Sequence, residues 1–242
     1  MSIKSSGVYM NDTILAVLKT VVGAEVLTEY FGFPVEVPLQ PELSGRQERA
    51  LGRYRFLRVF LPAVTEERYP KHAVVPDWRQ FRSYGAERIP LPGKWVAIET
   101  LLKPNYADRG REEDPLMAAL RANRLCNPYS SGHHGVQSIE EILPKVADEL
   151  GFAADQVMVP SFEEWNLAAN LFNWLCVRHA MPLPDLGETD TWEWCRNACG
   201  TDQRILAGRR EQGGLSAVWC RDGQRYGRGL EHVGFRVLVV LN

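Results

Sequence analysis

A chain of 242 residues, 45% hydrophobic and 24% charged, has the make-up of a soluble globular protein with length for one large domain or two small ones. Its net charge of -2, from 28 basic against 30 acidic residues, gives no electrostatic case for a nucleic-acid partner. No window approaches the roughly 18 uninterrupted apolar residues of a membrane helix, and no apolar signal segment follows Lys4, so cytoplasmic residence without membrane contact is expected.

Residues 12–30 place apolar groups at helical spacing behind Asp12, a capping residue, with Gly23 a weak point. Pro34, Pro38 and Pro41 then enforce an extended connector. From Arg53 to Phe56 basic and apolar residues alternate, the period of a half-buried strand running to Leu61. Trp95–Leu102, bounded by Pro92-Gly93 and Pro104-Asn105, reads as a second strand. Between them a proline-interrupted stretch with His72, Trp78, Phe81 and Tyr84 reads as irregular surface structure. The charged run Tyr106–Asp114 alternates in sign and lacks calcium-loop spacing, so a solvated turn is expected rather than a metal loop.

Two helices with clear start signals follow. Ser138-Ile139-Glu140-Glu141 forms a capping box, with Gly151 closing that helix. Ser161-Phe162-Glu163-Glu164 repeats the device, and Trp165, Ala168, Ala169, Phe172, Leu175 and Cys176 trace an apolar face behind it. His179 at the end of this helix suits the helix dipole. Beyond Pro184 come short strands and glycine-rich turns, and Phe235–Leu241 reads as one central strand buried on both faces.

The five cysteines, Cys126, Cys176, Cys195, Cys199 and Cys220, are an odd set without a signal segment, which predicts reduced thiols. Cys195 and Cys199 with His232 could make part of a metal site, but zinc sites use two close pairs and only one is present, so no metal is expected. The adjacent His133 and His134 lack the spacing to share an ion. There is no nucleophile elbow around Ser130 or Ser131, no P-loop and no dinucleotide fingerprint.

Val159-Pro160-Ser161-Phe162-Glu163-Glu164-Trp165, Trp192-Glu193-Trp194, Arg204-Ile205-Leu206-Ala207-Gly208 and Gly234-Phe235-Arg236 occur in an order that resembles the formylglycine-generating-enzyme superfamily, which has a C-type-lectin-like fold. The resemblance runs from Ser138 to Val240. It implies an α+β fold in which two helices pack on a small twisted antiparallel sheet, with Trp192-Glu193-Trp194 on a turn. Residues 1–90 then form an N-terminal elaboration or subdomain, and residues 91–242 form the lectin-like domain. Trp165, Trp192, Trp194, Phe235 and Arg236 are expected as scaffold, because tryptophans of this size lock helices onto sheets. An arginine inside an apolar strand needs a buried partner, for which Glu193 or Glu164 are the candidates.

The superfamily's oxidases bind copper through two cysteines after the Arg-Gly-Gly-Ser strand, and thiolates suit Cu(I). Between Gly208 and Gly234 this chain has Cys220 alone, which argues against that activity and leaves an oxidase or decayed relative as the alternative. Gly213-Gly214-Leu215-Ser216-Ala217-Val218-Trp219 instead resembles the run that supports the display surface of retroelement-diversified variable proteins. The resemblance implies a non-catalytic binding protein with a display surface over 208–232, no cofactor, and a protein or other macromolecular ligand.

Arg210, Ser216, Trp219, Arg221, Asp222, Arg225, Tyr226, Arg228 and His232 are the candidate contact residues. Arginine and tyrosine supply planar hydrogen bonding and contact area, while glycines let the backbone conform. Such diversification acts at adenines, which makes Trp219, Gln224, Glu231 and Glu211 less suited to being varied positions, while Arg210, Ser216, Arg221, Arg225, Tyr226, Arg228 and His232 are compatible. The arginines also suit a solvated loop. A phage or host docking component is a further alternative.

Overall fold

The computed structural model describes residues 22–71, 73–74, 85, 88–91, 93–103, 114–122, 136–188, 191–199, 203–208, 215, 218–222 and 233–242. It is an α+β protein. The helices are α1 (Ala24–Phe31), α2 (Gly45–Arg53), α3 (Pro115–Ala122), α4 (Val136–Leu150) and α5 (Phe162–His179). The strands are β1 (Phe56–Leu61), β2 (Lys94–Glu99), β3 (Val157–Met158), β4 (Trp192–Ala198), β5 (Gln203–Gly208), β6 (Val218–Asp222), β7 (Val233–Phe235) and β8 (Leu238–Leu241). No described helix is long and apolar enough to cross a membrane.

Two four-stranded sheets result, where one small sheet was expected. The first, in the order β1-β2-β8-β3, is antiparallel throughout. The second, β6-β5-β4-β7, is antiparallel except for the parallel pair β4 and β7. β1 lies before residue 90 and β2 after it, so a single sheet runs across that position.

The final apolar run is two strands, not one. Phe235 ends β7 in the second sheet, Arg236 and Val237 cross over, and Leu238 begins β8 in the first. Within its sheet β8 is central, paired with β2 through Ile98 and Leu238 and with β3 through Val157 and Val239. The guanidinium of Arg236 explains the break. Its ion-pair partner sits on β4, so the chain turns between the sheets to deliver it.

Ser161 caps α5 as expected. Its hydroxyl accepts from the Glu164 amide at 3.1 Å, and the Glu164 carboxylate accepts from the Ser161 amide at 2.7 Å. Burial on α5 is broader than one face, since every residue from Phe162 to Phe172 is buried, while Cys176 is exposed at the end of the stripe. Ser138 is not a cap. α4 begins at Val136, so Ser138 lies within its first turn, and Gly151, at φ +77°, closes it as expected.

Other expectations differ in detail. Arg53 ends α2, capped by Ser44 and Gln47, so the alternation at 53–56 straddles a helix end. The strand behind it is almost wholly buried, not half-buried. α1 begins at Ala24 after Gly23, and residues 12–21 lie outside the described residues. Asp114, expected on a solvated turn, is buried against Lys103, whose ammonium lies 3.0 Å from it. His72, Trp78, Phe81, Tyr84, His133 and His134 also lie outside the described residues.

Candidate binding face

All five scaffold residues, Trp165, Trp192, Trp194, Phe235 and Arg236, are buried. Trp192-Glu193-Trp194 is not a turn but the start of β4, the strand that holds the second sheet together. Glu193 is the partner of Arg236. Its Oε2 accepts from Arg236 Nε at 2.8 Å and from the Trp165 indole at 2.9 Å, and its Oε1 accepts from Arg236 Nη2 at 2.7 Å. One carboxylate thus ties α5, β4 and the crossover before β8, and the fork geometry leaves both oxygens satisfied.

Glu164, the other candidate, serves a separate cluster. It accepts from Arg196 at 2.7 and 3.0 Å and pairs with Lys94 at 2.9 Å. Burial opposes its charge, but Arg196 and Lys94 outweigh it and hold the carboxyl below its ordinary range. Its neighbour Glu163 is raised by burial, although Asn197 and the Ile89 amide donate to it.

The frame bears directly on the expected display segment. Trp192 pairs with Gly208 of β5 on one side and with Val233 of β7 on the other. The segment between them therefore begins and ends beside one buried tryptophan, and β6 within it forms the edge strand of the same sheet against β5. At the first edge Gly208 has φ +82°, and a Cβ there would stand 3.3 Å from the Trp165 ring, so two demands converge on glycine.

A third fixed point lies between them. The buried Asn166 amide donates to the Leu215 carbonyl at 2.7 Å, which ties the glycine-rich run to α5. Asn166 also accepts from the Tyr69 hydroxyl at 2.6 Å, and Asn170 accepts from the Val74 amide at 2.7 Å. Composition did not point to this role. The signal was two asparagines four apart within the buried stretch from Phe162 to Phe172, a spacing that lets both side chains reach one neighbouring segment.

Of the contact residues, Trp219, Arg221 and Asp222 lie on β6, where Leu206 faces Trp219 and Arg204 faces Arg221; their side chains lie outside the described set. Arg210, Ser216, Arg225, Tyr226, Arg228 and His232 lie outside the described residues.

The cysteines differ from expectation. Cys199 is disulfide-bonded, so the thiols are not all reduced; an odd total still leaves room for a pair. Cys176 and Cys195 are free. Burial, reinforced by Glu193, pushes the Cys195 thiol well above its ordinary value, which removes it as a ready thiolate ligand. Among the described residues no group of three or more His, Cys, Asp or Glu side chains could hold a metal ion.

A cleft of about 210 Å³ opens between α4 and β4, lined chiefly by Ile139, Leu143, Met158 and Trp194, with Arg196 and Arg204 also on its wall. No protein-family model matches the chain, and no curated protein or solved structure gives a significant match.

Proposed function

We propose that this chain is a non-catalytic binding protein with a C-type-lectin-like fold, displaying a recognition surface over residues 208–232. It takes a protein or other macromolecule as ligand and needs no cofactor. One observation carries the reading: the segment that holds the contact residues starts at Gly208 and returns at Val233, both paired to Trp192. A surface that must tolerate changed side chains needs fixed ends, and a buried strand locked by an ion pair supplies them.

The order of elements supports the lectin-like assignment. A capped helix opening at Ser161 leads to a Trp-Glu-Trp strand, then to the strand ending at Gly208, and finally to the Gly-Phe-Arg crossover. In this reading the target of a diversity-generating retroelement is the best description of the chain. The disulfide at Cys199 and the buried, unreactive Cys195 weigh against a copper thiolate centre built from that pair.

The test is at the locus. Sequencing the gene and its flanks from independent isolates should reveal a reverse transcriptase and a near-copy of the 3′ end that differs only at adenines of the copy. Substitutions should cluster in codons such as those of Arg221, Arg225 and Tyr226. Identical 3′ ends across isolates, without a near-copy, would overturn the diversification reading.

A further inference from the structure

Where β2 ends, a lysine is enclosed by two carboxylates. Lys103 Nζ lies 2.7 Å from Glu99 Oε2 and 3.0 Å from Asp114 Oδ2. All three side chains are essentially removed from solvent, at 1% exposure or less. Buried lysines are uncommon, and one that touches two acids from separate segments is a reactive arrangement as well as an electrostatic one. The second oxygen of Glu99, Oε1, is buried without a hydrogen-bond partner. A simple ion cluster would be expected to satisfy that atom.

The geometry points to an amide bond between Lys103 Nζ and Asp114 Cγ, closed by the folded chain itself with Glu99 as proton carrier. An ammonium and a carboxylate in contact can pass one proton along the 3.0 Å Nζ to Oδ2 contact, leaving a neutral amine beside a neutral carboxylic acid. Removal from water works toward the neutral pair, against the attraction of the two carboxylates for the ammonium.

The nitrogen lone pair then attacks Cγ, and the Nζ–Cγ bond forms as the carbonyl electrons move to oxygen. Glu99, 2.7 Å from the nitrogen, takes the second ammonium proton and passes it to the hydroxyl on Cγ. The Cγ–O bond breaks, the carbonyl re-forms and one water leaves. The third proton stays on the amide nitrogen, Glu99 is regenerated, and no oxidant or outside reagent enters.

The surroundings suit this role. Burial holds Glu99 above the ordinary carboxyl range against the pull of Lys103, so it can both accept and release a proton. Burial presses Lys103 toward the neutral amine, but Asp114 and Glu99 outweigh it and hold its proton, so the first transfer runs uphill. Arg236, through its hold on the Glu99 and Leu101 carbonyls, and the Val237 amide, which donates to Glu99 at 3.3 Å, keep Glu99 in place. Asp114 is fixed by its position at the start of α3, where its carbonyl accepts from the Ala118 amide.

Mass spectrometry of the full chain, reduced and denatured after purification, is the test. The expected mass is one water below that of the sequence, and digestion should yield a branched peptide joining the segments of Lys103 and Asp114. Asp114→Ala and Lys103→Arg should restore the full mass. Glu99→Gln, shown to be folded by circular dichroism, should do so or slow the loss of water at least tenfold. A wild-type chain that keeps its full mass after prolonged incubation while folded has an ion cluster only and overturns the proposal. So does a branched peptide joining Lys103 to Glu99. Neither outcome bears on the display surface.

Discussion

Arg236 and Glu193 meet face to face, Nε to Oε2 at 2.8 Å and Nη2 to Oε1 at 2.7 Å, with neither side chain exposed to solvent. The pair joins the crossover between the two sheets to the strand that anchors the proposed binding segment. Removing one partner strands the other as a buried charge, which costs about 3–5 kcal/mol. Arg236→Met should therefore lower stability by that amount in urea unfolding. The double variant Arg236→Met/Glu193→Gln should be less damaged than the sum of the two single changes.

Gly208→Ala should cost about 1–2 kcal/mol, the penalty for a Cβ in a left-handed conformation. The Trp165 ring, 3.3 Å from where the alanine methyl would stand, adds to it. Thermal unfolding reads the loss, and an unchanged midpoint would mean that the turn at this edge of the sheet is not held as described.

Exposed loop substitutions usually shift stability by less than about 0.5 kcal/mol. If residues 208–232 form the recognition surface, Arg225→Ala/Tyr226→Ala should leave the melting temperature nearly unchanged while abolishing capture of the cognate ligand. A large drop in melting temperature would assign both residues to the core.

Stability should fall in acid with a defined sign at Glu164. Its folded-state value is held below the ordinary one, so its contribution is complete above the unfolded value and is lost as the pH drops through the folded value. Glu163 and Glu99 run the other way, because burial raises them and their ionisation costs stability as the pH rises. The stability gap between wild type and Glu164→Gln, measured by denaturant unfolding, should therefore shrink from neutral to strongly acid solution.

Thiol reactivity should separate Cys176 from Cys195. Cys176 is exposed and should alkylate in the native protein, whereas Cys195 should react only after denaturation. Peptide mapping after pulse labelling distinguishes them.

Local signals in the sequence were legible where one residue type has one physical use. Ser161 followed by Glu164 reads as a helix start and is one, and Arg236 in an apolar run demands an acid, which proves to be Glu193. Signals failed where a long-range partner changes the meaning of a local pattern. Phe235–Leu241 looks continuous because apolar periodicity does not register that Arg236 must reach a different sheet. Asp114 looks solvated because its neighbours in sequence are charged, while its actual neighbour is Lys103, buried at the end of β2. α2 hid behind an alternation of arginines, and the pairing of Cys199 has no local mark.

Asp222 on β6 and Val233 on β7 stand at the two edges of the second sheet, three strand spacings or roughly 14 Å apart across it. A connection between two fixed ends can lengthen at little cost, since each doubling of a loop adds only about 0.6 kcal/mol of closure entropy. The stretch between Asp222 and Val233 is thus a natural place to graft a foreign peptide, and the two sheets should fold with little regard for the length of the cargo.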